Sequence, residues 1–73
     1  MNYAVEQRLR FIDFLLSHYG TINRKALTDY FGISIPQAAK DFKDYMKIAP
    51  DNMFYSHTRK LYLKHPEFER LWS

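Results

Sequence analysis

The stretch at residues 23–45, NRKALTDYFGISIPQAAKDFKDY, constrains the fold of this chain more than any other part. Asn23 suits the start of a helix, because its side chain can accept a hydrogen bond from a free N–H of the first turn. Gly32 suits the end of that helix, since glycine takes left-handed dihedral angles without a steric penalty. Ser34 can cap a second helix with Pro36 in its first turn, where the missing N–H of proline costs little. The pattern predicts a helix-turn-helix.

The segments on either side extend this prediction. Residues 4–19 carry apolar side chains at spacings of three and four, which indicates an amphipathic helix that Gly20 ends. After the helix-turn-helix, residues 53–56 and a run from Lys60 or Leu61 to Lys64 read as short strands. Three helices followed by a two-stranded wing make a mainly α winged helix-turn-helix. A three-helix bundle with a frayed tail is the alternative.

The linking segments complete the expected organisation. Thr21 and Ile22 read as a short bridge between the first two helices, and Pro66 as the end of the hairpin unit. We expect residues 1–66 to form the winged helix-turn-helix domain and residues 67–73 to begin a C-terminal helix or a linker.

Composition excludes several classes of protein. The chain has no cysteine, which rules out disulfides and thiolate metal sites, and its 47% hydrophobic content argues against disorder. No apolar run is long enough for a membrane span and no signal peptide is recognisable, so a cytoplasmic location without membrane contact is expected. His18, His57 and His65 lack metal-ligand spacing, and there is no Gly-rich phosphate loop. No enzyme activity, metal or cofactor is expected.

The excess positive charge lies on the helix-turn-helix and the hairpin that follows it. Between residues 23 and 64 there are eight lysines and arginines against four aspartates. The third helix places Gln37, Lys40 and Lys43 on its polar side, where a recognition helix contacts bases and phosphates. Asp41 and Asp44 are expected to pair with lysines of the same helix. A solvated helix face of mixed charge is the alternative interpretation.

Two further segments are candidate DNA contacts. The hairpin loop has two adjacent cations beside a histidine, as suits a wing, although loop tips are commonly polar. The start of the second helix offers free N–H groups and two cations to phosphate, and simple capping by Asn23 explains it equally well. The full set of candidate DNA-binding residues is Asn23, Arg24, Lys25, Ser34, Gln37, Lys40, Lys43, His57, Thr58, Arg59 and Lys60.

The chain also carries more large apolar side chains than one small core easily accommodates. Three of them lie off the main apolar stripe of the first helix and three lie in the tail. The tail either folds back on the first helix, or these groups meet a partner protein. The candidate partner interface comprises Phe11, Phe14, Leu15, Phe68, Leu71 and Trp72.

Several ordered motifs carry a resemblance to a known family. They are Arg-Leu-x-Phe-Ile-Asp-Phe at 8–14, Gly-x-Ile-Asn-Arg at 20–24, Phe-Gly-Ile-Ser-x-Pro-Gln-Ala at 31–38, and Ile-Ala-Pro-x-Asn at 48–52, with Tyr55 and Tyr62 in the hairpin. Over residues 8–68 the chain resembles the N-terminal winged helix domain of WYL-domain transcriptional regulators. More narrowly, it is similar to the bacterial repressors of the BrxR and CapW type, which are encoded beside phage-defence systems.

The resemblance implies a nucleoid-associated repressor that binds an inverted-repeat operator in double-stranded DNA as a homodimer. It implies DNA contacts from Ser34, Gln37, Lys40, Lys43 and the loop at 57–60. The family also carries a ligand-sensing WYL domain and a C-terminal extension, which this sequence does not contain. The chain is therefore expected to be an isolated N-terminal domain or a short stand-alone regulator, with no small-molecule ligand in this segment. A winged helix that docks a protein and never touches DNA is the alternative function.

Overall fold

Three helices and a small antiparallel sheet make up residues 2–72, which are the residues that the computed structural model describes. The elements are α1 (Tyr3–Tyr19), β1 (Thr21–Ile22), α2 (Arg24–Phe31), α3 (Ile35–Ile48), β2 (Met53–Ser56) and β3 (Leu61–Lys64). The predicted order of three helices and a hairpin is confirmed, and with it the mainly α winged helix-turn-helix. Within residues 2–72, none of the helices has the length and apolar character needed to cross a membrane.

The helix ends lie where the capping residues predict them. The Asn23 side chain accepts from the N–H of Ala26 at 3.0 Å, and the Ser34 hydroxyl accepts from the N–H of Gln37 at 3.2 Å. Gly32 ends α2 with φ of 67°, a left-handed conformation that a side chain would strain. Gly32 and the Ser34 cap fix the short turn between α2 and α3 and so set the direction in which α3 leaves it.

A third strand joins the predicted hairpin. Thr21 and Ile22, expected to be a simple bridge, form β1 and pair antiparallel with β3, with Thr21 opposite Leu63 and Ile22 opposite Tyr62. β3 is therefore the central strand, in the order β1-β3-β2. Because β1 lies between α1 and α2, the pairing ties the wing to the helical body instead of leaving it as a free hairpin.

The core lies where the three helices meet the sheet. Its fully buried side chains come from every helix, and the Phe42 ring of α3 stacks on Tyr62 of β3 with centroids 4.3 Å apart. An aromatic pair of this geometry contributes about 0.5–1.5 kcal/mol beyond its buried area. The stacked pair holds the inner face of α3 against the sheet. The buried apolar residues are Leu9, Ile12, Leu16, Ile22, Leu27, Ala38, Phe42, Tyr45, Ala49 and Met53.

The segment after Pro66 folds back along α1 in turns, and no helix forms between residues 67 and 72. The buried Asp13 carboxylate accepts from the backbone N–H groups of Leu71 and Trp72 at 2.9 and 3.1 Å. Asn52 accepts from the Glu69 N–H at 2.9 Å and donates to its carbonyl at 2.8 Å. The side chains of Asp13 and Asn52 thus supply the hydrogen-bond partners that the backbone of a helix would otherwise provide for this segment. The division of the chain at residue 66 stays a prediction.

One buried hydroxyl connects this tail to α3. Tyr45 donates to Asp13 at 2.6 Å and accepts from the Asn52 amide at 3.0 Å. Burial raises the pKa of the Tyr45 phenol well above its ordinary value, and the bond to Asp13 raises it further. Tyr45 is therefore a neutral hydrogen-bond donor within a network that joins α1, α3 and the tail.

Candidate nucleic-acid interface

The outer side of α3 presents a row of exposed side chains that we call the ridge: Pro36, Lys40, Lys43 and Lys47. At about 100° per residue these four positions cluster within one side of the helix, opposite the buried Ala38 and Tyr45. Lys40 forms an ion pair with Asp44 at 2.9 Å, as the sequence predicts. Within residues 2–72, Lys43 belongs to no ion pair.

Asp41 does not pair with the lysines, and that prediction is wrong. The carboxylate is fully buried and accepts from Arg8 of α1 through both oxygens, with Nε at 2.5 Å and the second guanidinium nitrogen at 3.2 Å. The reason is rotational: Asp41 lies beside Ala38 and Phe42 on the inner side of α3, where no lysine reaches it. A paired arginine with two charge-assisted bonds is what makes a buried carboxylate tolerable.

Gln37 lies one turn before Asp41, on the side of α3 that faces α1. Its Nε2 donates to the Asp41 carboxylate at 2.9 Å, and the residue is half-buried. Because a carboxylate only accepts, this bond fixes which end of the amide turns outward. The Oε1 acceptor and one N–H remain free, and that donor–acceptor pair matches the N7 and N6 edge of adenine.

The hairpin loop at residues 57–60 is a tight, fully exposed turn. The Lys60 N–H donates to the Ser56 carbonyl at 2.7 Å, and the Arg59 N–H donates to the Ser56 hydroxyl at 3.1 Å. Lys60 has a φ of 56°, which is the left-handed region that lysine rarely adopts. The turn therefore holds His57, Thr58, Arg59 and Lys60 outward at the end of the wing.

A groove of about 450 Å³ connects the wing to both helices of the helix-turn-helix. Arg24 and Lys25 come from the first turn of α2, Lys60 from the wing, and Ile35 from the first turn of α3. Lys25 pairs with Asp29 at 2.5 Å on the exposed surface. Burial raises the pKa of nearby Tyr62, and the Arg24 charge lowers it in part. The groove thus brings together cations that the sequence separates by more than thirty residues.

Ile35 is the apolar residue of this groove, and the sequence prediction of the site omits it together with Thr28 and Asp29. Its side chain is 60% exposed, and the other residues that line the groove are all polar. The available signal is an isoleucine directly after the Ser34 cap, as the first residue of α3. Asn23 and Ser34, two of the candidate DNA-binding residues, also cap helices.

The six candidate partner residues divide into two groups. Phe11, Leu15, Phe68 and Trp72 are half-buried and pack against the core, as the fold-back of the tail predicts. Phe14 and Leu71 stay 44% and 38% exposed, with the Arg70 guanidinium 5.6 Å from the centre of the Phe14 ring. The Phe11 ring stacks on the exposed Tyr30 ring, with ring centroids 4.6 Å apart, so the apolar area extends onto α2.

No cluster of three or more histidine, aspartate or glutamate side chains suited to a metal ion occurs between residues 2 and 72.

Comparison with known proteins agrees with the geometry. A family model described as the BrxR transcriptional regulator winged helix-turn-helix domain matches residues 4–73. The chain is 53% identical over 57 residues to the DNA-binding transcriptional repressor CapW of Escherichia coli (strain KTE188), covering 78% of this chain and 19% of that protein. It is 43% identical over 67 residues to CapW of Pseudomonas aeruginosa, covering 92% and 22%. For CapW of Stenotrophomonas maltophilia the identity is 41% over 69 residues, covering 94% and 23%. The chain therefore spans about a fifth of the length of these curated relatives.

Proposed function

Because the chain belongs to the winged helix-turn-helix domain family of the BrxR transcriptional regulators, we propose that it binds specific double-stranded DNA sequences in transcriptional repression. This family is one of transcriptional regulators and not of enzymes. The observation that carries the proposal is the groove, where cations of α2 and of the wing flank the first turn of α3. Such a surface can follow a phosphate backbone on both sides of a helix lying in the major groove.

In the proposed complex the ridge and the first turn of α3 enter the major groove. Lys43 and Lys40 contact phosphate or guanine, and Gln37 pairs with adenine through its free acceptor and donor. The ion pair between Lys40 and Asp44 does not prevent this, since an exposed pair on a helix contributes only about 0.3–0.5 kcal/mol.

The remaining contacts fix the register on the duplex. Arg24 and Lys25 bind the backbone beside the first turn of α3, while Arg59 and Lys60 extend the wing along the next phosphates or into the minor groove. Each such contact releases condensed counterions, so binding weakens steeply as the salt concentration rises.

Oligomeric state and operator form are part of the proposal. We infer that a longer protein containing this domain binds as a homodimer to an inverted repeat, with half-sites about 34 Å apart or a multiple of that. The relatives are named as DNA-binding transcriptional repressors, which supports the repressor role.

The decisive experiment is selection of bound sequences from a random duplex pool, followed by titrations across salt concentrations. The Lys43→Ala variant should weaken binding to all sequences and reduce the slope of log affinity against log salt by about one. Gln37→Ala should instead relax the preference at one base pair. Lys64→Ala is the matched control, because Lys64 lies at the end of β3 that is remote from the hairpin loop. If Lys43→Ala and Lys64→Ala behave alike and Gln37→Ala selects the same sequence, the assignment of α3 fails.

A second candidate function rests on the exposed apolar area of Phe14, Tyr30 and Leu71. A patch of this kind suits a protein partner. In that case the selection would return no preferred sequence, and the chain would bind a protein with little dependence on salt.

A further inference from the structure

One apolar side chain lies within the cation-lined groove. Of the large apolar side chains that are exposed between residues 2 and 72, Ile35 is the one in contact with this groove. The other residues lining it are Asn23, Arg24, Lys25, Thr28, Asp29 and Lys60. Ile35 therefore has no apolar neighbour there, and the exposed part of its side chain gives the domain no stabilisation from burial.

The major groove of DNA offers few apolar surfaces to such a side chain. Base edges present hydrogen-bond donors and acceptors, and the C5-methyl group of thymine is the apolar exception. Ile35 is the first residue of α3, and the first turn of a recognition helix is the part that comes closest to base edges. Arg24 and Lys60, which line the same groove, would bind phosphates and so direct the isoleucine towards the bases.

We propose that Ile35 is a specificity-determining residue that recognises thymine through its methyl group. The inference rests on the proposed DNA-binding function and adds a base identity to it. Ile35 and Gln37 are two residues apart, so their side chains leave α3 in directions about 160° apart. They consequently contact different base pairs, and thymine selection by Ile35 is separable from the adenine preference of Gln37.

The test replaces single thymines by deoxyuridine, which removes only the methyl group, in the duplex that the wild-type chain selects. At one position the wild-type chain should lose about three- to fivefold in affinity, as expected for one methyl group returned to water. Ile35→Ala should bind the thymine duplex with similarly reduced affinity and show no further loss with uracil. Ile35→Val should keep part of the sensitivity.

The matched control is Ile48→Ala at the other end of α3, where the side chain is 46% exposed and outside the groove. It should keep the full sensitivity to uracil. Because Ile35 is exposed, its variants should keep the thermal midpoint of the wild type. If the chain selects a sequence but wild type and Ile35→Ala respond equally to every uracil, the inference is overturned and the proposed function stands. If no sequence is selected, the proposed function itself fails.

Discussion

The buried ion pair between Arg8 and Asp41 makes the strongest prediction about stability. The side chains are 11% and 0% exposed, and two hydrogen bonds join them. Asp41→Asn keeps the size of the side chain but leaves the guanidinium without a counter-charge. Removing one partner of a buried pair typically costs about 3–5 kcal/mol, because the remaining charge stays desolvated.

This loss is large relative to the whole domain. At about 0.05–0.15 kcal/mol per residue, a chain of this length is stable by roughly 4–11 kcal/mol. Asp41→Asn should therefore lower the thermal midpoint by more than about 10 °C, since each kcal/mol shifts it by about 4–8 °C. Urea unfolding followed by circular dichroism measures the loss in free energy, and an unchanged m-value confirms that the unfolded state is the same.

Two further variants decide whether the cause is the buried charge. Asp44→Asn breaks the exposed pair with Lys40 on the same helix and should cost about 0.5 kcal/mol or less. The double variant Arg8→Met with Asp41→Leu removes both charges and should recover most of the lost stability. The reasoning is refuted if Asp41→Asn costs no more than Asp44→Asn, or if the double variant is as unstable as the single one.

Two other perturbations give separate tests. Because the pKa of Tyr45 is raised in the folded state from its ordinary value of 10.0, the unfolded chain loses that proton first, and stability falls as pH rises above about 10. Tyr45→Phe should flatten this alkaline decline in stability, as measured by urea titrations. The variant should also cost about 1–3 kcal/mol at pH 7, because Asp13 and Asn52 lose a hydrogen-bond partner. An equally steep decline in the variant would contradict the assignment of the decline to Tyr45. Lys60→Asn should keep or raise the free energy of unfolding by up to about 1 kcal/mol, because asparagine tolerates the left-handed φ of 56° better than lysine. The same variant should weaken DNA binding. Unchanged affinity would exclude Lys60 from the interface, and a loss of stability would contradict the argument from its backbone conformation.

The parts of the fold that follow from local bonding were predictable from sequence. Asn23, Gly32 and Ser34 each act within three or four residues of themselves, so the helix ends and the turn could be placed without the rest of the chain. The hairpin also followed from its own residues. Strand β1 could not be predicted, because two residues show no periodicity and become a strand only through pairing with β3, some forty residues away.

The candidate site likewise combines features that follow from local sequence with features that depend on distant contacts. That Lys40 and Lys43 are exposed follows from helical spacing, whereas the role of Asp41 depends on Arg8, which lies 33 residues away in sequence. A charged residue on a helix is ordinarily solvated, so the prediction that Asp41 pairs along α3 was reasonable and wrong. Ile35 was left out of the predicted site for a related reason: only the structure shows that it lines the same groove as the cations of α2 and the wing.

The Tyr45 hydroxyl has a mechanical consequence for the orientation of α3. It lies on the same helix as the ridge, yet it is bonded to Asp13 and Asn52, the two side chains that hold the tail. Hydrogen bonds keep to a narrow range of donor–acceptor distances and weaken steeply as their angle bends. A tilt of α3 on DNA would therefore stretch bonds at the tail, and a pull on the tail would tilt α3. Tyr45 therefore links the position of the tail to the orientation of α3.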